Sequence, residues 1–411
     1  MAQTDIVIVG AGPAGMAAAL ALADGGWTVS LAGPPANTGD LRTTAVMMPG
    51  IAFLRGLGVD IADADAAPLR TMRIIDATRR LIRSPAVTFR AGEIAEDAFG
   101  YNIANRRLNE LLAEAVASSG SILRHEQAVT SWMPEEDGVS VSLGDGHVLR
   151  GRLAVAADGR ASPGREAAGI HVRSRPLPQV ALVTTFRHER PHEDTSTELH
   201  TEHGPFTQVP LADPHRSSLV WVSAPDEAER LGALTGDAFC LAVEQRMDSM
   251  LGKISEPGPR QAWPLSATLP SAFAARRIAL VGEAAHVFPP IGAQGLNLGL
   301  RDVMDLASVL EGVGDPGTPD VLARYTARRR PDILARAGAV NALNGTLLSD
   351  FLPAQIARSA GLSLLRSLPP LRGFFMREGM APGTGFGRFA DDIRGLGKEV
   401  GRKMTARHQQ Q

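Results

Sequence analysis

A single cysteine, Cys240, stands in 411 residues, so no intramolecular disulfide can form. It also argues against a cysteine-rich metal site, and the scarcity fits a reducing compartment. Charge of one sign is missing too: a formal net charge of −2 leaves no basic excess to mark a nucleic-acid face. No apolar run approaches the roughly 20 residues that would span a bilayer. The N-terminus does not have the pattern of a secretory signal, because Asp5 precedes an apolar segment that turns directly into a glycine loop. The expectation is a cytoplasmic protein of ordinary globular composition, 44% hydrophobic and 21% charged, with a length that argues for about two domains.

What is present begins with Asp5-Ile6-Val7-Ile8-Val9, an apolar strand that meets Gly10-Ala11-Gly12-Pro13-Ala14-Gly15 and then a helix from Met16 to Ala23. Gly25-Gly26 stop that helix, and Thr28-Val29-Ser30-Leu31 reads as the next strand. A GxGxxG in this strand–loop–helix–strand setting is a dinucleotide fingerprint. Gly10 permits the tight turn, Gly12 lets a pyrophosphate approach the backbone, and Gly15 lets helix pack on strand. The acid that normally follows roughly 20 positions on, to accept from ribose hydroxyls, is missing. Ala32-Gly33-Pro34-Pro35 stands there instead, and Asp40 is the nearest acid.

A second glycine loop follows Ile278-Ala279-Leu280-Val281. It comprises Gly282-Glu283-Ala284-Ala285-His286, Pro289, Gly292, Gln294-Gly295-Leu296-Asn297 and Asp302, and it opens a helical pattern through Leu300, Val303, Leu306 and Leu310. Between the two loops, Val139 to Leu143 and His147 to Leu153 read as a hairpin around Gly144-Asp145-Gly146. The hairpin feeds Ala157-Asp158-Gly159, with Ser162, Arg165 and Gly169-Ile170 beyond it. An acid and a glycine at the C-terminal end of a strand suit a ligand loop in an open α/β sheet. From about Leu177 to Leu265, alternating stretches predict antiparallel strands with no phosphate loop, as in a substrate domain inserted into a nucleotide domain.

These three motifs together resemble the class A flavoprotein aromatic hydroxylases, the family similar to 4-hydroxybenzoate hydroxylase. Asp40-Leu41-Arg42-Thr43, Tyr101-Asn102-Ile103, Gly204-Pro205-Phe206, Trp263-Pro264-Leu265, Tyr325 with Arg328-Arg329, and Pro369-Pro370-Leu371-Arg372 look like the bacterial ubiquinone-biosynthesis hydroxylases within it. The resemblance implies an α/β fold: a Rossmann-like FAD-binding domain (1–72, 98–175 and 268–340), an inserted antiparallel-sheet substrate domain (73–97 and 176–267) and a C-terminal helical region (341–411). It implies non-covalent FAD, NAD(P)H as a transient reductant, and O₂ carried as a flavin hydroperoxide that hydroxylates the ring of a polyprenylated phenol, without a metal. Residue by residue, it places Gly10, Gly12, Pro13, Ala14 and Gly15 at the pyrophosphate and Arg42 near the FAD phosphate. Asp158 and Gly159 fall near flavin and nicotinamide, Gly282 and Glu283 at the sugar-alcohol chain. Pro289, Gly292, Gln294, Gly295, Leu296 and Asn297 lie beside the isoalloxazine ring, the first three as positioning groups. Asn105 stands where relatives carry arginine or glutamine against the flavin, and Glu283 where they carry aspartate.

Other residues admit plainer roles. His286 is expected to make a structural hydrogen bond rather than to act as a base, and Arg328-Arg329-Arg330 to lie on a solvated helix face. His188, His192, His200 and His203 have strand-like spacing and no cysteine partners, a poor metal set. Phe206, Trp221 and Trp263 suit either the substrate cavity or core packing. In the tail, Phe386, Phe389, Ile393, Leu396, Val400 and Met404 alternate with basic residues, which fits a helix lying on an anionic membrane or packed on protein. Five interspersed glycines from Gly385 to Gly401 count against a continuous helix. Alternative readings are a hydroxylase of a soluble aromatic and a non-catalytic accessory flavoprotein of a biosynthetic complex; a homo-oligomer is compatible with each.

Overall fold

The computed structural model describes residues 2–36, 39–78, 84–289, 294–348 and 369–380. Its first layer is a mainly parallel sheet in the spatial order Ala274–Ala275, Ile278–Leu280, Val148–Ala156, Ala2–Val9, Val29–Ala32 and Ile122–His125. The four central pairings are parallel, and the chain order reverses at Ala2–Val9, so the C-terminal ends of Ala2–Val9, Val148–Ala156 and Ile278–Leu280 lie side by side. The central residues Ile6, Val7, Ile8, Leu153, Ala154 and Val155 are fully buried, as parallel strands covered on both faces require. Helix Pro13–Asp24 contributes a run of alanines and leucines, which lets helix and sheet approach closely. The hairpin turn expected at Gly144-Asp145-Gly146 is present, with Gly146 at φ +87° joining Val139–Leu143 to Val148–Ala156.

The second layer is an antiparallel sheet centred on the 17-residue strand Val172–His188, flanked by Arg216–Ser223 and Gln261–Pro270. Gly204–Pro210 and Thr195–Thr201 continue it, and Thr71–Asp76 adds to its edge in parallel, followed by Val87–Arg90. Between the layers lies a small antiparallel sheet of Thr43–Met47, Gly100–Ala104 and Ala66–Pro68. Phe206 and Trp221 meet edge-to-face at 5.0 Å within the core that the second sheet shares with helix Gly236–Arg246, so both are packing residues. The basic amphipathic stretch 386–404 lies outside the described residues. Among the described residues, no helix is long and apolar enough to cross a membrane.

Candidate active site

The glycine fingerprint is shaped by close backbone approach. Gly10 has φ +111°, and a Cβ there would stand 2.2 Å from the Ala157 carbonyl oxygen; a Cβ on Gly15 would stand 1.9 Å from the Gly10 carbonyl oxygen. No L side chain fits either position. Gly12 differs: nothing lies within 4 Å of the Cβ it lacks, so its face is open to a ligand. Gly12 caps helix Pro13–Asp24, Pro13 occupies the first turn where its missing N–H costs nothing, and no acid stands in that turn. The result is a helix N-terminus able to receive an anion. Ala14 touches the second loop, its methyl 3.0 Å from the position of a Cβ on Gly282.

Asp158 lies two residues past the strand Val148–Ala156, beside this loop. Its Oδ2 accepts from the Gly164 N–H at 2.9 Å, whereas its buried Oδ1 has no hydrogen-bond partner. Burial raises the pKa of this carboxyl, against the lowering effect of its hydrogen bonds and of Arg165. Gly159 turns the chain at φ +85°. Arg165, itself buried, donates to the carbonyls of Ala284 at 2.8 Å and Arg160 at 3.0 Å, which ties the Asp158 loop to the Gly282 loop.

The Gly282 loop is braced from below. Gly282 turns at φ +63°, and its N–H donates to Asp302 Oδ2 at 2.9 Å. His286 Nε2 shares the same oxygen at 2.8 Å, and Arg329 Nε donates to Asp302 Oδ1 at 2.7 Å. Arg329 also pairs with Asp305 and Asp332. Burial alone would weaken the Arg329 charge, but Asp302, then Tyr325 and the other carboxylates, hold its pKa above the ordinary value. His286 thus makes a structural hydrogen bond. The solvated face expected for Arg328-Arg329-Arg330 is corrected at its centre: Arg329 is 1% exposed, because three carboxylates converge on it from two helices.

Glu283 points outward and pairs with Arg160, Nε to Oε2 at 3.1 Å and Nη2 to Oε1 at 3.2 Å. Pro289 is buried, Gly292 lies outside the described residues, and Gln294, Gly295 and Leu296 open helix Gln294–Leu310. Asn297 is spent on main chain: Oδ1 accepts from Met47 N–H at 2.8 Å and Nδ2 donates to the Ala45 carbonyl at 2.7 Å. The start of this helix is thereby fixed to strand Thr43–Met47.

Arg42 is held by Asp40, whose carboxylate takes its Nε at 2.9 Å and Nη2 at 2.7 Å, and its guanidinium lies 4.5 Å over the Trp263 ring. Hydrogen bonding to Asp40 raises the Arg42 pKa, and the Glu283 charge adds to this. Asn105 accepts from the Thr44 hydroxyl at 2.6 Å and donates to Asp40 at 2.9 Å, so its amide serves this cluster. Trp263 Nε1 is buried with no hydrogen-bond partner. Where the sequence lacks a ribose-binding acid, Gly33 has φ +139°, and Arg124 Nη2 donates to its carbonyl at 2.6 Å. Arg124 and Arg160 gave no signal in sequence, since each needs the fold to bring it to a loop. Arg165 and Asp302 stood inside the motifs, but without an assigned task.

Comparison with known proteins agrees with this geometry. The chain is 35% identical over 388 residues to the ubiquinone hydroxylase UbiL of Rhodospirillum rubrum, covering 92% of this chain and 89% of that protein. It is 29% identical over 373 residues to the 3-demethoxyubiquinol 3-hydroxylase of Escherichia coli, covering 87% and 94%. The fold matches that of PqsL, a probable FAD-dependent monooxygenase of Pseudomonas aeruginosa, with TM-score 0.72 at 24% identity over 88% of this chain and 99% of that one. It also matches p-nitrophenol 4-monooxygenase PnpA of Pseudomonas putida, with TM-score 0.73 at 20% identity over 92% and 97%. Residues 3–337 match the FAD binding domain family, and the chain belongs to it.

Proposed function

We propose that this protein is an FAD-dependent monooxygenase that hydroxylates the aromatic ring of a polyprenylated phenol in ubiquinone biosynthesis, with NAD(P)H and O₂ as co-substrates. The observation that carries the reading is the meeting of three loops, at Gly12, Asp158 and Gly282, at the C-terminal end of the parallel sheet. The residues there fit FAD: an open helix N-terminus for the pyrophosphate, an unpartnered buried carboxylate oxygen on Asp158, and a braced glycine loop. Bound FAD would supply the two-electron chemistry that activates O₂. The protein's own residues bind and orient. Gly12 and Pro13 present the helix terminus, Arg42 and Arg160 are held beside the loops by Asp40 and Glu283, and Asn297 holds strand Thr43–Met47 against the loop.

The substrate reading draws on the relatives that hydroxylate ubiquinone precursors. The division into a discontinuous FAD-binding domain and a substrate domain belongs to the same proposal, with the strand Val172–His188 running across their junction. A prenylated substrate dissolves in lipid, so peripheral membrane contact also belongs to it. Sedimentation of the full chain with anionic liposomes should carry protein into the pellet. The deciding experiment is deletion of the gene followed by mass spectrometry of the accumulated quinone precursor. A prenylated phenol lacking one ring hydroxyl is the expected result; an unchanged quinone profile would overturn the reading. For the purified protein, Glu283→Ala should lower FAD occupancy, and full retention of flavin would remove Glu283 from the site.

A further inference from the structure

The two faces of the antiparallel sheet differ in character. Leu199, Phe206, Leu219 and Trp221 point to the side covered by helix Gly236–Arg246. Alternate residues point the other way. On that second face Met72 and Val209 pack with Ala45, Met47 and Leu69, and Ser218 meets the Thr43 hydroxyl at 2.8 Å. It therefore closes against strand Thr43–Met47, the same strand that Asn297 ties to the flavin loop.

Register puts Glu198 beside Thr207 and Ile74, and His200 beside Pro205 and Asp76. Because Ser196 pairs with Met72 and Thr207 is two residues from Val209, Glu198, His200 and Thr207 share the face that packs on the small sheet. Glu198 Oε1 meets His200 Nε2 at 2.6 Å, with side chains only 17% and 5% exposed. Thr207 Oγ1 is buried and has no hydrogen-bond partner. Asp76, the neighbouring acid, is occupied by Thr78 and by the Ser84 N–H. A few polar groups set among apolar side chains such as Met72, Ile74 and Val209, one of them unsatisfied, are what a ring-binding pocket uses to orient its ligand.

We propose that Glu198, supported by His200 and Thr207, determines which ring the enzyme accepts: it takes the hydroxyl hydrogen of a phenol and rejects a ring carboxylate. The proposal rests on the hydroxylase reading above. A carboxylate is an acceptor and makes a short, strong bond with a hydroxyl donor. Two carboxylates side by side in a partly buried site repel, so one residue supplies both the attraction and the exclusion.

The test uses the FAD-loaded full chain, titrated with a short-chain prenylphenol and with the matching prenylated hydroxybenzoate, each followed by the change in flavin absorbance. The unaltered protein should bind the phenol at least roughly tenfold more tightly. Glu198→Gln should narrow that ratio by about tenfold, chiefly by admitting the carboxylate. Thr207→Val, nearly isosteric, should weaken the phenol a few-fold without helping the carboxylate. Preference for the carboxylate by the unaltered protein overturns the proposal, as does an unchanged ratio in a flavin-retaining Glu198→Gln protein. If Glu198→Gln loses its flavin, unchanged phenol affinity in Thr207→Val overturns the proposal instead. A loaded protein that responds to neither ring removes the hydroxylase reading as well.

Discussion

At the scale of single residues, two glycines three positions apart behave oppositely, and the difference is measurable. Gly15 lacks room: its Cβ would meet the Gly10 carbonyl oxygen at 1.9 Å, and backbone cannot give way as a side-chain tip can. Gly15→Ala should therefore lower both the melting temperature of the FAD-free protein and its FAD content. Gly12 lacks only a ligand, because no protein atom stands within 4 Å of its missing Cβ. Gly12→Ala should melt like the unaltered FAD-free protein and yet purify with several-fold less flavin. Equal melting of the two variants would show that the crowding at Gly15 is relieved elsewhere.

Arg329 and Asp302 make the same point for charge. Removing one member of a buried pair leaves the other without a partner and costs about 3–5 kcal/mol. Arg329→Met and Asp302→Asn should each lose stability of that order in urea titration, and the double variant should lose less than the sum. Additive losses would mean that the two side chains act independently.

At the scale of elements, the Gly282 loop owes its shape to a helix pair that follows it in sequence. Asp302 on helix Gln294–Leu310 holds Gly282 and His286, and Arg329 on helix Pro319–Leu348 holds Asp302. Tyr325 on the same helix donates to the Leu280 carbonyl at 2.8 Å, fixing the strand that leads into the loop. Strand Val172–His188 carries a titratable counterpart at its end. His188 bonds the Arg190 carbonyl and Ser217, and burial holds its pKa below the ordinary 6.5, helped by the charges of His192 and His215. The unfolded chain thus takes up this proton before the folded one does as pH falls. Stability from this group is full above about 6.5 and is lost as pH drops toward its depressed folded value. Urea unfolding at neutral and mildly acid pH should show the decline, and His188→Gln should flatten it; an identical slope would assign the decline to other groups.

At the scale of the whole molecule, the site exists because three layers meet. The parallel sheet brings the Gly12, Asp158 and Gly282 loops together at the C-terminal ends of its strands. The small sheet carries Ala45 and Met47 from Asn297 to the cluster that includes Val209. The antiparallel sheet then packs on the small sheet through Met72 and Val209, and Ser218 meets the Thr43 hydroxyl.

The sequence by itself determined the α/β class, the three loops and the cofactor family. The class and the loops are written locally, as a glycine whose backbone no other residue can adopt or as an apolar run of strand length; the flavin follows from the resemblance that the three motifs carry together. It also marked Asp158 and Asn297 by their place in the motifs. Only the tertiary structure decided what those residues touch. Arg329 looked like a solvated charge because three neighbouring arginines on a helix usually are, and it is buried because carboxylates from two helices converge on it. Arg160 and Arg124 reach their loops across long stretches of chain, to Glu283 and to the Gly33 carbonyl. The Glu198–His200 pair reads as ordinary alternation until the packing of Met72 and Val209 fixes which side it faces. Pairing between distant segments depends on which layers stack, and local sequence carries no term for that.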